Sequence, residues 1–220
     1  MENKDIYDDI SSIKNIMERS TKFISLAGLS GVMAGIYALI GAGIAYMIIP
    51  QYNTISVADY DKTYTETVSG NTYHSLSVEL ILFVVALVIL FLSIGTGILL
   101  SARKARRNNQ SVWNPSSQSL ANAGLLPLLT GGCFAFILYL QHHYGTIAPT
   151  CLVFYGLALV SASKYTYGDV KWLGLLEILL GLLSLMQPGY GLYFWALGFG
   201  VLHILYGTIM YFKYDRVNVK

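Results

Sequence analysis

Six apolar runs, each long enough to cross or nearly cross a bilayer, leave this chain few folds to choose from. They cover residues 23–50, 78–101, 120–140, 147–163, 170–187 and 192–212. Spanning ~30 Å of hydrocarbon takes roughly 20 apolar residues at ~1.5 Å each. Every backbone N–H and C=O must also find its partner inside the segment, which a helix provides. The expected fold is therefore all-α: a polytopic membrane protein with six transmembrane helices arranged as three hairpins. The first run exceeds the span and should stop at Pro50, while the fourth and fifth are short. Composition agrees, with 55% hydrophobic and 12% charged residues among 220, against ~25% charged in soluble domains. Helices and loops use nearly all the length, so no separate soluble catalytic domain is expected. The N-terminus lacks the pattern of a cleavable signal peptide.

Basic residues orient the helices. Lys4, Lys14, Arg19 and Lys22 precede the first run, and Arg103, Lys104, Arg106 and Arg107 follow the second. Lys164 and Lys171 flank the turn after the fourth, and Lys213, Arg216 and Lys220 follow the sixth. Thirteen of the 14 thus fall on one side, with Lys62 alone on the other. Positive charge stays cytoplasmic, which implies an N-in, C-in protein of a bacterial inner membrane with residues 213–220 as a cytoplasmic tail. The outer face then holds the long loop 51–77, where Thr63–Val68 and Thr72–Leu76 flank a Ser69-Gly70-Asn71 turn, and an interfacial belt of tyrosines.

Residues 1–22 repeat Ile6, Ile10, Ile13 and Met17 at helical spacing, the stripe of an amphipathic helix. Its net charge of −1 suits anionic lipid poorly. The expected partner is protein, either the cytoplasmic surface of this chain, a second copy or another polypeptide. No nucleic-acid partner is expected.

Within the runs, glycines recur. Gly28, Gly31 and Gly35 lie in the first, Gly124 and Gly131 around Pro127 in the third, Gly174 and Gly181 around Glu177 in the fifth, and Gly200 and Gly207 around His203 in the sixth. Positions i, i+3 and i+7 share one helix face, and small residues there let backbones approach closely in lipid. These faces should point into the bundle. Cys133 and Cys151 read as small apolar core residues.

Glu177 is the one carboxylate deep in a run, and a charge there costs ~2.5–3.5 kcal/mol unless partnered. The turn Pro188–Gly191 places Glu177 level with residue 202, beside His203, so a Glu177–His203 hydrogen bond is expected. It reads either as a proton or solute site or as a polar clasp holding the last hairpin. Tyr206 and Asn122 are candidates to complete a pocket. His142 and His143, with Glu79 on the same side, form a weaker candidate for a metal such as zinc or nickel. Nothing in the chain specifies a cofactor.

Gly28-Leu29-Ser30-Gly31 matches the Gly-x-Ser-Gly of rhomboid intramembrane proteases, yet it lies in the first run and has no accompanying His-x3-Asn segment. An intramembrane hydrolase is thus the remote alternative, and a non-enzyme is favoured. Two stretches, Glu18–Gly35 and Ser163–Tyr214 (with SKYTYGDVKWLGLLEILLGLL and FWALGFGVLHILYGTIMYFKY), resemble an uncharacterised family of small bacterial integral-membrane proteins. That resemblance implies the topology and no activity. The leading expectation is a scaffold, sensor or accessory subunit. The alternative is a small-solute or proton-linked transporter or channel using the intramembrane Glu–His pair.

Overall fold

The computed structural model describes residues 28–52, 78–107, 111 and 113–215. The amphipathic segment 1–22, the loop 53–77 with its expected strand pair, and residues 216–220 lie outside the described residues. Six long helices make up the described chain: α1 (Gly28–Tyr52), α2 (Val78–Arg107), α3 (Pro115–Leu140), α4 (Ile147–Ala162), α5 (Val170–Leu185) and a composite α6 over 191–215. α6 is α-helical at Gly191–Trp195 and His203–Met210, and π-helical at Ala196–Leu202 and Tyr211–Asp215. No strand occurs among the described residues.

Helix ends follow local chemistry. α2 continues to Arg107, past the expected end at Ser101, because Lys104, Arg106 and Arg107 complement the carbonyl end of its dipole. α3 starts at Pro115 rather than residue 120. Asn114 Oδ1 accepts the Ser117 N–H at 2.8 Å, Ser117 Oγ accepts the Asn114 N–H at 2.9 Å, and Pro115 takes the first helical position. α1 runs two residues past Pro50 instead of stopping there, and Pro127 sits inside α3 without ending it.

Five of the helices (α1 to α4 and α6) are long and apolar enough to cross a membrane. α4 reaches that length only with the 3-10 turns that flank it, over 144–165, whereas α5, with 16 residues, reaches about 24 Å at the α-helical rise and falls short on length alone. Apolar side chains face outward: Met47 is 71% exposed, Phe91 69% and Leu126 73%, while Glu177 is 0% exposed. This reverses the usual arrangement of soluble proteins and suits a lipid surround.

α1 packs against α2 on one side and α6 on the other; α4 packs against α3 and α5. The first two consecutive helix pairs are packed together. The third is not built that way: α5 leans mainly on α4, and α6 mainly on α1. Glycines make both close approaches. A Cβ on Gly35 would lie 2.6 Å from the Gly200 carbonyl oxygen, and one on Gly31 would lie 3.3 Å from Gly207 Cα. Across α4 and α5, a Cβ on Gly156 would meet the Gly174 carbonyl at 2.6 Å, and one on Gly181 would meet Pro149 O at 3.0 Å.

The glycine rule holds differently in the two helices that carry polar residues. On α5, Gly174, Glu177 and Gly181 are all buried, with both glycines against α4. On α6, Gly200 and Gly207 face α1, where Leu39, Gly28 and Val32 lie, while His203 turns toward Tyr155 of α4 and Glu177 of α5. The π-helical stretch beginning at Ala196 breaks the 3.6-residue period on which a shared face depends.

Candidate functional site

Three helices bring polar groups to one level. Glu177 comes from the middle of α5, Tyr155 from α4 and His203 from the point where α6 leaves its first π-helical stretch. Tyr155 Oη lies 2.7 Å from His203 Nε2, and His203 Nδ1 lies 3.0 Å from the Gly198 carbonyl oxygen. Glu177 Oε1 stands 3.4 Å from the same Nδ1. In place of the expected Glu–His hydrogen bond there is a close polar contact, longer than the ~2.7–2.9 Å of a charge-assisted bond. Nδ1 spends its proton on the backbone instead.

The π-helix explains that choice. Residues five apart on an α-helix point about 140° apart at ~100° per residue, whereas the wider π turn sets residue i+5 over residue i. His203 thereby comes over Gly198. A carbonyl can only accept, so Nδ1 carries hydrogen, and a neutral ring takes the Tyr155 O–H at Nε2. If the ring gains a proton, Nε2–H donates to Tyr155 Oη. Both states fit the same heavy-atom positions.

Gly198 makes room for the acid. A Cβ there would fall 2.5 Å from Glu177 Oε2 and 2.5 Å from Leu152 Cδ2. Leu152 is itself 0% exposed, and the Phe199 ring lies 6.0 Å from the His203 imidazole at 27°. Among the described residues neither Glu177 oxygen has a hydrogen-bond partner. A buried polar atom left so costs ~1–3 kcal/mol, more if charged, and such an atom calls for an explanation beyond packing.

The other sequence candidates fall elsewhere. Tyr206 lies one turn past His203 but packs on Tyr167, Val170 and Met210 at the end of the bundle that carries Asp169. Asn122 is exposed on α3 and does not join the site. His142 and His143 are exposed, the former within 2.7 Å of Tyr144 Oη and at φ 61°. The Glu79 side chain lies outside the described residues. No group of three or more His, Cys, Asp or Glu able to hold a metal occurs among the described residues. Cys133 is exposed rather than in a core, because it faces outward on α3; Cys151 is half-buried, and both thiols are free.

At the Asp169 end, Lys213 Nζ donates to Asp169 Oδ2 at 2.6 Å and Tyr214 Oη donates to the same oxygen at 3.1 Å. The Lys213 hydrogen bond, ahead of the one from Tyr214, holds the Asp169 carboxyl below the usual carboxylate range against the opposing effect of burial. Tyr214 stacks on Tyr167 at 4.0 Å, and Lys104 Nζ reaches Tyr167 Oη at 3.3 Å.

Sequence reasoning missed Tyr155 and Gly198. Tyr155 had a usable signal: it lies eleven residues before Thr166, the centre of the turn between α4 and α5, and Glu177 lies eleven after. Gly198 had none, since its role depends on a π-helix that residue spacing does not announce. No family model, no curated protein and no solved structure matches this chain.

Proposed function

We propose that this is a proton-linked transporter or channel of the bacterial inner membrane, with both termini cytoplasmic, in which Glu177, His203 and Tyr155 form the proton site. The observation that carries the reading is the Glu177 carboxyl, 0% exposed and without a hydrogen-bond partner, 3.4 Å from an imidazole. A structural clasp works by satisfying both partners, and this acid is left unsatisfied. An intramembrane carboxyl beside a histidine suits the binding and release of a proton. The titratable groups facing Glu177 are His203 from α6 and the Tyr155 phenol from α4. The placement of 13 of 14 basic residues supports the orientation. A scaffold role rests on residues 1–22 and gains nothing from the buried acid.

The test is dissipation of an imposed pH gradient in proteoliposomes, read by an entrapped pH-sensitive dye. Wild type is expected to dissipate it faster than empty vesicles, and Glu177→Gln and His203→Ala to lose that excess while eluting as folded protein. A wild type no faster than empty vesicles sinks the reading.

A further inference from the structure

Among the described residues, four buried side-chain atoms lack hydrogen-bond partners: both Glu177 oxygens, Ser184 Oγ and Tyr206 Oη. They are not scattered. Ser184 lies two turns along α5 from Glu177, about 10 Å toward the His142 end. Tyr206 lies one turn along α6 from His203, about 4–5 Å toward the Asp169 end. Glu177 and Ser184, seven residues apart, share one face of α5, and Tyr206 follows His203 by one turn on α6.

The two halves of this arrangement differ. Between Glu177 and Ser184, Gly181 presses α5 onto α4, where a Cβ would come 2.6 Å from Val153 Cγ2 and 3.0 Å from Pro149 O. That contact, made partly with α4 backbone, holds α5 tightly on α4 along this half. On the other side, Tyr206 is a long side chain with a polar tip. Its ring packs against Tyr167 and Val170, next to the solvent-reaching group Asp169, Lys213 and Tyr214. A phenol hydroxyl both accepts and donates a proton, and a water between polar atoms of this kind is stable only where they line the gap.

Resting on the proton-site reading above, we infer that Tyr206 is the relay through which the Glu177–His203 site exchanges protons with the Asp169 end, and that the Ser184 side is closed. In the step, the Glu177 O–H bond breaks and a water accepts the proton. That water passes one proton to Tyr206 Oη, which gives up its own to solvent beside Asp169. Tyr206 ends as it began.

The experiment follows the carboxyl C=O stretch of protonated Glu177 by infrared spectroscopy in nanodiscs, assigned by its loss in Glu177→Gln, after a switch to heavy water. Wild type is expected to exchange readily. Tyr206→Phe should slow that exchange about 100-fold, the usual lower range for losing a positioned acid–base group, and Ser184→Ala should leave it unchanged. If Tyr206→Phe does not fold, Tyr206→Met removes the same hydroxyl with an adaptable side chain. Wild-type exchange in the hydroxyl-free variants, or slowing in Ser184→Ala, overturns the relay and leaves the proton site standing. Absence of any Glu177 carboxyl band across the pH range removes both.

Discussion

Glu177 Oε2 occupies the space beside Gly198 that a side chain on that residue would need: a Cβ there would stand 2.5 Å from the oxygen. One helix thus gives up a side chain so that another can bury an acid. The two residues are 21 apart in the chain and on different helices, and their fit sets the depth and direction of the carboxyl.

Gly198→Ala is accordingly expected to destabilise the protein by about 1–3 kcal/mol, the range for overpacking a closed site. Part of that loss should disappear when Glu177 is also shortened to Ala, with a coupling of roughly 0.5–3 kcal/mol between the two positions. Denaturant unfolding of the single and double variants in detergent, followed by circular dichroism, measures it. Strict additivity would mean that the two groups do not share the space.

The glycines separate into two classes that one experiment can distinguish. A Cβ on Gly207 would lie 2.5 Å from Val32 N and 2.7 Å from Gly28 O, whereas one on Gly95 would meet nothing within 4 Å. Backbone atoms cannot step aside as a side chain tip can. Gly207→Ala should therefore weaken the α1–α6 contact by about 1–3 kcal/mol, while Gly95→Ala should stabilise α2 by up to ~1 kcal/mol through helix propensity. Thermal unfolding of the two variants side by side checks this, and equal shifts would contradict it.

The Asp169–Lys213 pair gives a signed pH effect. Asp169 has its folded-state pKa lowered, first by the Lys213 hydrogen bond. Its contribution to stability is then present above the unfolded value, near ~3.9, and is lost as pH falls through the lower folded value. Wild type should melt above Asp169→Asn by a constant margin from about pH 7 to 5, and the margin should shrink below about pH 4. Both side chains are partly exposed, Lys213 at 53% and Asp169 at 32%, so salt should narrow the gap as well. A margin that persists undiminished at the acid end would exclude this pairing as its source.

Much of the architecture was legible along the chain because bilayer thickness and backbone hydrogen bonding act on local sequence. Leu80–Arg107 or Pro115–Leu140 can be recognised as span-length apolar helices without reference to any other segment. The level of Glu177 against His203 was also readable, since two helices joined by a short turn keep step with each other. Their bonding was not: Nδ1 turned to the Gly198 carbonyl because α6 adopts a π-helix, and nothing in residue spacing marks where that extra residue per turn enters.

By itself, then, the sequence determined the all-helical fold, the span-length helices and the small-residue positions where backbones can meet. Those properties depend on neighbours a few residues away and on the solvent around them. Only the tertiary structure decided that α6 packs on α1 and α5 on α4, that Tyr155 supplies the third polar group, and that Asn122 stays outside. Such pairings depend on which faces meet across distant parts of the chain, and several glycine faces are similar enough for local sequence to leave the choice open. The unsatisfied carboxyl at the meeting of α4, α5 and α6 is a product of that choice.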